Sequence, residues 1–138
     1  MAVFFDSRVS TFTIADSTGT VRDITPYITK LDGLPGPRRL YGVTAIGDTG
    51  DKFSPGLYGA TITLELMWST DALVGPDTIF RVLRDHTAAT AFSYKPSGVS
   101  SPVYSGNCWV EDYVIHTVVN TLLMASVSLK VDGAVADA

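Results

Sequence analysis

Residues 58–68 read Tyr58-Gly59-Ala60-Thr61-Ile62-Thr63-Leu64-Glu65-Leu66-Met67-Trp68. Every second position (Tyr58, Ala60, Ile62, Leu64, Leu66, Trp68) is apolar or small, and the set between them is mostly polar, with Met67 the exception. A period of two over this length predicts a long β-strand with one face in a core. The opposite face, threonines and a glutamate, is expected to meet water or the polar surface of another chain. Such a strand needs a sheet around it, so the stretch predicts an all-β scaffold and offers no reactive group.

Downstream, Gly75-Pro76-Asp77 opens the one convincing helix. Proline suits the first helical turn and an aspartate suits the positive end of the dipole. Ile79, Phe80 and Leu83, with Val82 as a further candidate, form its apolar stripe, Arg81, Arg84 and Asp85 lie outside, and it is expected to end near Thr87. Ala91–Tyr94 reads as a strand, Lys95–Gly98 as a turn, and Ser105–Ile115 and Thr121–Val131 as two further long strands. The last of these places Leu123, Ala125, Val127, Leu129 and Val131 inward. Residues 133–138 are small and expected to fray.

Upstream, Thr11–Ala15 and Val21–Ile24 flank Asp16-Ser17-Thr18-Gly19, which predicts a hairpin. Thr25-Pro26-Tyr27-Ile28 fits either one helical turn, with Thr25 as its cap and Pro26 at the first position, or an edge strand, where proline is tolerated. The breaker cluster Leu34–Pro37 precedes Arg38-Arg39 and a short Leu40–Val43 segment. Residues 44–56 then form a polar, glycine-rich loop, longer than an ordinary hairpin connection and therefore a candidate for contact with a partner. Residues 1–10 read as an arm, whose Phe4 and Phe5 either tuck into the chain's own core or dock on a neighbour.

The fold expected is mainly β: two packed antiparallel sheets, a sandwich or barrel, with one flanking α-helix, in a single domain over residues 1–138. A net charge of −4 lacks the basic footprint of a protein that grips nucleic acid, yet suits one past which nucleic acid slides. Cys108, the one cysteine, is expected as a small buried hydrophobe. With no signal-peptide pattern and no apolar run long enough to span a bilayer, the expectation is a soluble protein made in a reducing cytoplasm.

Residues that carry chemistry are sparse. Asp48-Thr49-Gly50 matches the aspartic-protease turn, but Gly47 stands where those enzymes have bulky apolar residues, and Asp51 and Lys52 follow at once. His86 and His116 are far apart, Glu111 and Asp112 are adjacent in a strand, and no phosphate cradle or serine elbow is present. Arg38-Arg39 reads as a solvated loop or interface pair, and Trp109 with Tyr113 is a conceivable sugar platform. No enzyme, metal or cofactor is expected.

The order of the pieces, rather than any one, resembles a known family. Asp23–Ile28, a loop with Thr44 and Gly47-Asp48, then Phe53-Ser54-Pro55-Gly56-Leu57 entering a Thr-x-Thr-x-Glu strand, is similar to the major tail protein of long-tailed bacteriophages. That family runs from an I-S-x-Y-L segment through a T-x-x-G-D loop and an F-x-P-G-L turn into its longest strand. The resemblance spans residues 10–133. It implies a structural virion protein whose hexameric rings stack into a hollow tail tube that conducts DNA during ejection. Implied partners are further copies of itself, the tape measure, terminator and tail-tip proteins, and DNA that passes without specific binding.

The same resemblance makes Thr44, Gly47, Asp48, Asp51, Lys52 and Phe53 candidates for contact between subunits or rings. Thr61, Thr63 and Glu65 become candidates for the lumen face, and Phe4 and Phe5 for a docking arm. The immunoglobulin-like extension of some relatives is not expected. A terminator or connector ring and a carbohydrate-binding β-sandwich are the alternatives.

Overall fold

The computed structural model describes residues 6–98 and 102–137, so Phe4 and Phe5 of the expected arm lie outside the described residues. The alternation along residues 58–68 is present, but the strand is shorter than expected. β6 covers Thr61–Met67, with Ile62, Leu64 and Leu66 wholly buried and Thr61, Thr63 and Glu65 exposed. Gly59 and Ala60 interrupt it, and Phe53–Tyr58 forms a separate strand, β5. Tyr58 is therefore an exposed residue of β5 rather than the start of the buried row.

Seven strands make the main sheet, in the order β2-β1-β7-β8-β9-β6-β3 and antiparallel at every pairing. They are β1 Thr11–Ala15, β2 Val21–Asp23, β3 Ile28–Asp32, β6, β7 Thr90–Lys95, β8 Tyr104–His116 and β9 Met124–Asp137. β4, Arg38–Gly42, pairs only with β5, giving a second, two-stranded sheet. The long sheet curves, so that Thr11 and Phe12 on β1 and Ile28 and Leu31 on β3, near its opposite edges, line one cleft of about 500 Å³.

Curvature brings the inner faces together in one core of Phe12, Ile14, Ile62, Leu64, Phe92, Val127 and Leu129, closed by the helix α1, Pro76–Leu83. Phe12 and Phe92 stack with ring centroids 6.2 Å apart. On α1, Ile79, Phe80 and Leu83 face the sheet as the stripe predicts, but Val82 does not join them: it is exposed. The helix stops at Leu83, one turn short of Thr87, and His86 lies beyond it with Nδ1 2.9 Å from the carbonyl of Ala88. Tyr113 clamps helix to sheet. Its hydroxyl donates to Asp77 at 2.9 Å and accepts from Trp68 Nε1 at 3.0 Å. Burial, then the hydrogen bond to Asp77, pushes that phenol up to about 12.

The Thr25–Ile28 ambiguity resolves into both alternatives in succession: a 3-10 turn over Thr25–Tyr27, then the edge strand β3. Thr25 is not its cap. Its hydroxyl instead contacts the Phe12 backbone, accepting from the N–H at 2.9 Å and donating to the carbonyl at 3.2 Å. At the C-terminus the expectation of fraying is overturned. β9 continues to Asp137, with Ala136 opposite Ser105 and Asp137 opposite Tyr104. Small side chains do not prevent a strand whose backbone has a long partner to pair with.

The β1–β2 turn is built on Asp16, whose carboxylate accepts from the Thr18 hydroxyl at 2.6 Å, from two backbone N–H groups and from Arg22. These contacts, the Thr18 hydroxyl first, hold its pKa at about 2, below the ordinary 3.8. A depressed carboxylate stabilises the fold above its unfolded pKa, and that contribution is lost as pH falls through the folded one. Wild-type stability is thus expected to decline between about pH 4 and pH 2. Asp16→Asn should flatten that part of a urea-midpoint profile; an unchanged profile would remove Asp16 as its cause.

Candidate assembly surfaces

The site residues anticipated at 44–56 fall on the β4–β5 hairpin, and the loop proper is shorter than expected, because Phe53–Gly56 already belongs to β5. Every residue of β4 is exposed, and β5 buries none fully. Their apolar side chains face solvent: Leu40, Tyr41, Val43, Ile46, Phe53, Leu57 and Tyr58 are all exposed. A two-stranded ribbon is marginal by itself in water. Exposed apolar side chains gathered on such a ribbon make it a candidate interaction surface.

The hairpin's apex is nevertheless ordered. Asp48 accepts from the Ala45 N–H at 2.7 Å and pairs with Lys52 Nζ at 3.0 Å. The Ala45 N–H, and after it Lys52, lowers the carboxyl's pKa. The Thr44 hydroxyl accepts from the Lys52 N–H at 2.9 Å, and Gly47 takes a φ of +99° that favours glycine. Thr44, Asp48 and Lys52 thus shape the apex, whereas the apolar groups left exposed are Ile46 within the turn and Phe53 at the start of β5. Asp51 is exposed and makes no ion pair among the described residues. Arg38 lies over the Tyr58 ring, 5.2 Å from its centroid, on a strand rather than in a loop.

Thr61, Thr63 and Glu65 share the outer face of the main sheet with their cross-strand neighbours Lys130, Ser128 and Ser126 on β9. On β3, Asp32 lies opposite Thr63 and Lys30 opposite Glu65. On β8, Trp109 lies opposite Lys130, Asp112 opposite Ser128 and Val114 opposite Ser126. Cross-strand partners share a face. The result is a broad, hydroxyl-rich surface in which Asp32, Glu65 and Asp112 outnumber Lys30 and Lys130.

Trp109 and Tyr113 do not form a common sugar platform. Trp109 pairs with exposed Lys130, while Tyr113 pairs with buried Val127 and points under α1. A bulge at Glu111, between Val110 and Asp112, switches the parity of β8 and separates the two aromatics. It also leaves Glu111 and Asp112 both exposed, contrary to simple alternation.

A second apolar surface was not anticipated. The turn between β8 and β9 exposes Val118, Val119 and Leu122. It is a formed turn, in which Thr121 donates to the Val118 carbonyl from both its N–H (3.3 Å) and its hydroxyl (2.9 Å). In sequence, such a run reads as core, because composition alone does not reveal which valines lie beyond a strand's last pairing.

Cys108 is buried, and that burial pushes its thiol up to about 12. Among the described residues no group of three or more His, Cys, Asp or Glu could hold a metal ion, and no helix is long and apolar enough to cross a membrane.

No protein-family model matches the sequence, and no curated protein does. Solved structures do match the fold. A chain from the C6-symmetric tail of an empty gene transfer agent particle superposes with a TM-score of 0.72 at 13% identity, covering 98% of this chain and 99% of that one. A chain from the virion of a native gene transfer agent particle gives 0.73 at 10% identity with the same coverage. The Dit protein (gp 19.1) of phage SPP1, described as a hub adsorption apparatus, gives 0.54 at 13% identity, covering 87% of this chain and 49% of that one. At these identities the likeness establishes the fold: mainly β, of the kind found in phage-type tail particles.

Proposed function

We propose that this chain is the structural subunit of a phage-type tail tube. Copies close into rings, hexameric by analogy with the C6 tail, and the rings stack into a hollow conduit for genomic DNA. The observation that carries this reading is the correspondence with a chain of a C6-symmetric helical tail over 98% of this chain and 99% of that one. The exposed apolar hairpin supports it independently, as a surface that a neighbouring copy would cover. The chain's place is the virion tail, after synthesis in the bacterial host. Its partners there are further copies of itself and the tape-measure, terminator and tail-tip components; its role is mechanical rather than catalytic.

In this reading the outer face of β6, β9 and β3 lines the lumen. Hydroxyls with a small acidic excess let a polyanion slide without being held. Glu65→Lys is expected to impair DNA ejection from particles while tube length and diameter in electron micrographs stay normal. Ejection at the wild-type rate would move the lumen to another face. For the function itself the test is negative-stain microscopy of purified protein over a range of concentrations. Stacked rings or tubes are the expected result, and a chain that never stacks would end the tube reading. A single-ring component, a hub or a terminator, is the second reading, favoured by the likeness to Dit, and isolated rings would select it.

A further inference from the structure

β3 forms one edge of the main sheet, and among the described residues it pairs with β6 alone. Its other edge faces the seam where the curved sheet comes round to β1. There β2 covers the flank of β1 only from Thr13 to Ala15, and the Thr25 hydroxyl takes the Phe12 backbone. The cleft of about 500 Å³ is what stays open, with Phe12 and Tyr94 on one side and Ile28 and Leu31 on the other. Ile28, Leu31 and Tyr94 pack on the core yet are only partly buried. Arg8 and Lys30 also line the cleft, but each cation already has a carboxylate partner, Asp6 at 2.9 Å and Asp32 at 3.5 Å. The cleft therefore lacks apolar cover and a strand partner rather than an anion.

We infer that the residues just before Asp6, Val3-Phe4-Phe5, fill this cleft within the same chain, as a strand added to the free edge of β3. The chain arrives at the right place. Arg8 and Ser10 are themselves part of the lining, and the Ser10 hydroxyl fixes that wall by donating to the Pro96 carbonyl at 2.6 Å. The turn at Ser7–Val9 then folds the chain back: the Val9 N–H donates to the Asp6 carbonyl at 3.1 Å, and the Asp6 carboxylate accepts from the Arg8 N–H at 2.9 Å. Residues entering through Asp6 are thus held at the mouth of the cleft. Their chemistry fits as well, since a valine and two phenylalanines are uncharged and strand-prone. Main-chain hydrogen bonds to a free edge, with apolar side chains seated beside it, are the strand-addition mode of recognition. The short tether favours this occupant over another molecule, because it holds the segment at an effective concentration on the order of millimolar. A chain closed in this way guards its own edge against edge-to-edge pairing, and anything else that pairs with β3 must first displace the guard. The inference does not depend on the tube reading.

The test is amide hydrogen exchange on the full chain, at concentrations where it sediments as a monomer, comparing wild type with a variant carrying Phe4→Asp and Phe5→Asp. The β3 amides that point away from β6 are expected to exchange about tenfold faster in the variant. Exchange at Leu64 and Leu129, both wholly buried, should be unchanged, which reads the integrity of the core separately. A labelled peptide with the sequence of residues 2–6, Ala-Val-Phe-Phe-Asp, is expected to bind the variant and not wild type, whose cleft is already filled. Equal β3 exchange in the two proteins, or equal peptide binding, would overturn the inference. So would protection of β3 in wild type that grows with protein concentration, because the occupant would then come from a second copy.

Discussion

Leu64→Ala is expected to destabilise the chain by about 3 kcal/mol, within the range for a leucine removed from a core that relaxes only in part. Leu64 is completely buried and sits between two cross-strand partners, Leu31 on β3 and Val127 on β9. Truncation opens a cavity under three adjacent strands, and paired strands on both sides restrict how far the wall can move in. Native stabilities are only about 5–15 kcal/mol, so a single such change takes a large share. Urea unfolding should show a lower midpoint with an unchanged slope. Thr63→Ala, one residue away on the exposed face, should stay within about 0.5 kcal/mol. Equal losses at the two positions would mean that the alternation does not divide core from surface.

Gly33→Ala is expected to do comparable damage by a different route. Gly33 holds a φ of +108°, and an added Cβ would stand 1.9 Å from the carbonyl oxygen of Thr61 and 3.0 Å from its carbon. Those atoms are backbone, so no side-chain rotation relieves the clash. β3 must part from β6 where Asp32 faces Thr63, at the root of the β4–β5 hairpin. The strained dihedral and the displaced ladder together are expected to cost about 3 kcal/mol. Amide exchange at Thr61 and Thr63 should speed up more than at Leu129, and stacking should fail at concentrations where the variant is still folded. A variant with wild-type stability and exchange would show that the approach of the two chains is not required.

Much of the body of the fold was legible because it obeys one rule. In β6 and β9 the apolar positions keep a strict period of two, and residues from Ala60 to Leu66 and from Ala125 to Val131 are buried accordingly. The rule fails where backbone geometry rather than side-chain sequence decides. Ser54-Pro55-Gly56 has poor strand propensity, yet it lies in β5 because it pairs with Leu40 and Tyr41. Gly59 breaks a row whose apolar phase would carry on through Tyr58. The bulge at Glu111 is invisible to any periodicity count, since it spends one residue without changing composition.

The candidate site was legible only in part, for a related reason. Thr44, Gly47, Asp48 and Lys52 stood out because polar, glycine-containing stretches announce loops, and they do shape the hairpin apex. Leu40, Ile46, Leu57, Val119 and Leu122 carry the exposed apolar surface, and in sequence they look like any other core residues. A hydrophobic side chain that serves a partner is distinguished from one that serves its own chain by position in three dimensions alone.

The dissimilarity of the sheet's two ends has a consequence for direction. The β4–β5 hairpin joins the sheet where β6 begins and the β8–β9 turn caps it where β6 ends, so a head-to-tail file of such molecules would read differently forwards and backwards. One terminus of such a file would offer hairpins and the other would offer β8–β9 turns. Were the chain to assemble in this way, a factor that starts growth and a factor that stops it would meet different chemistry. Orientation would then be settled by the first molecule laid down.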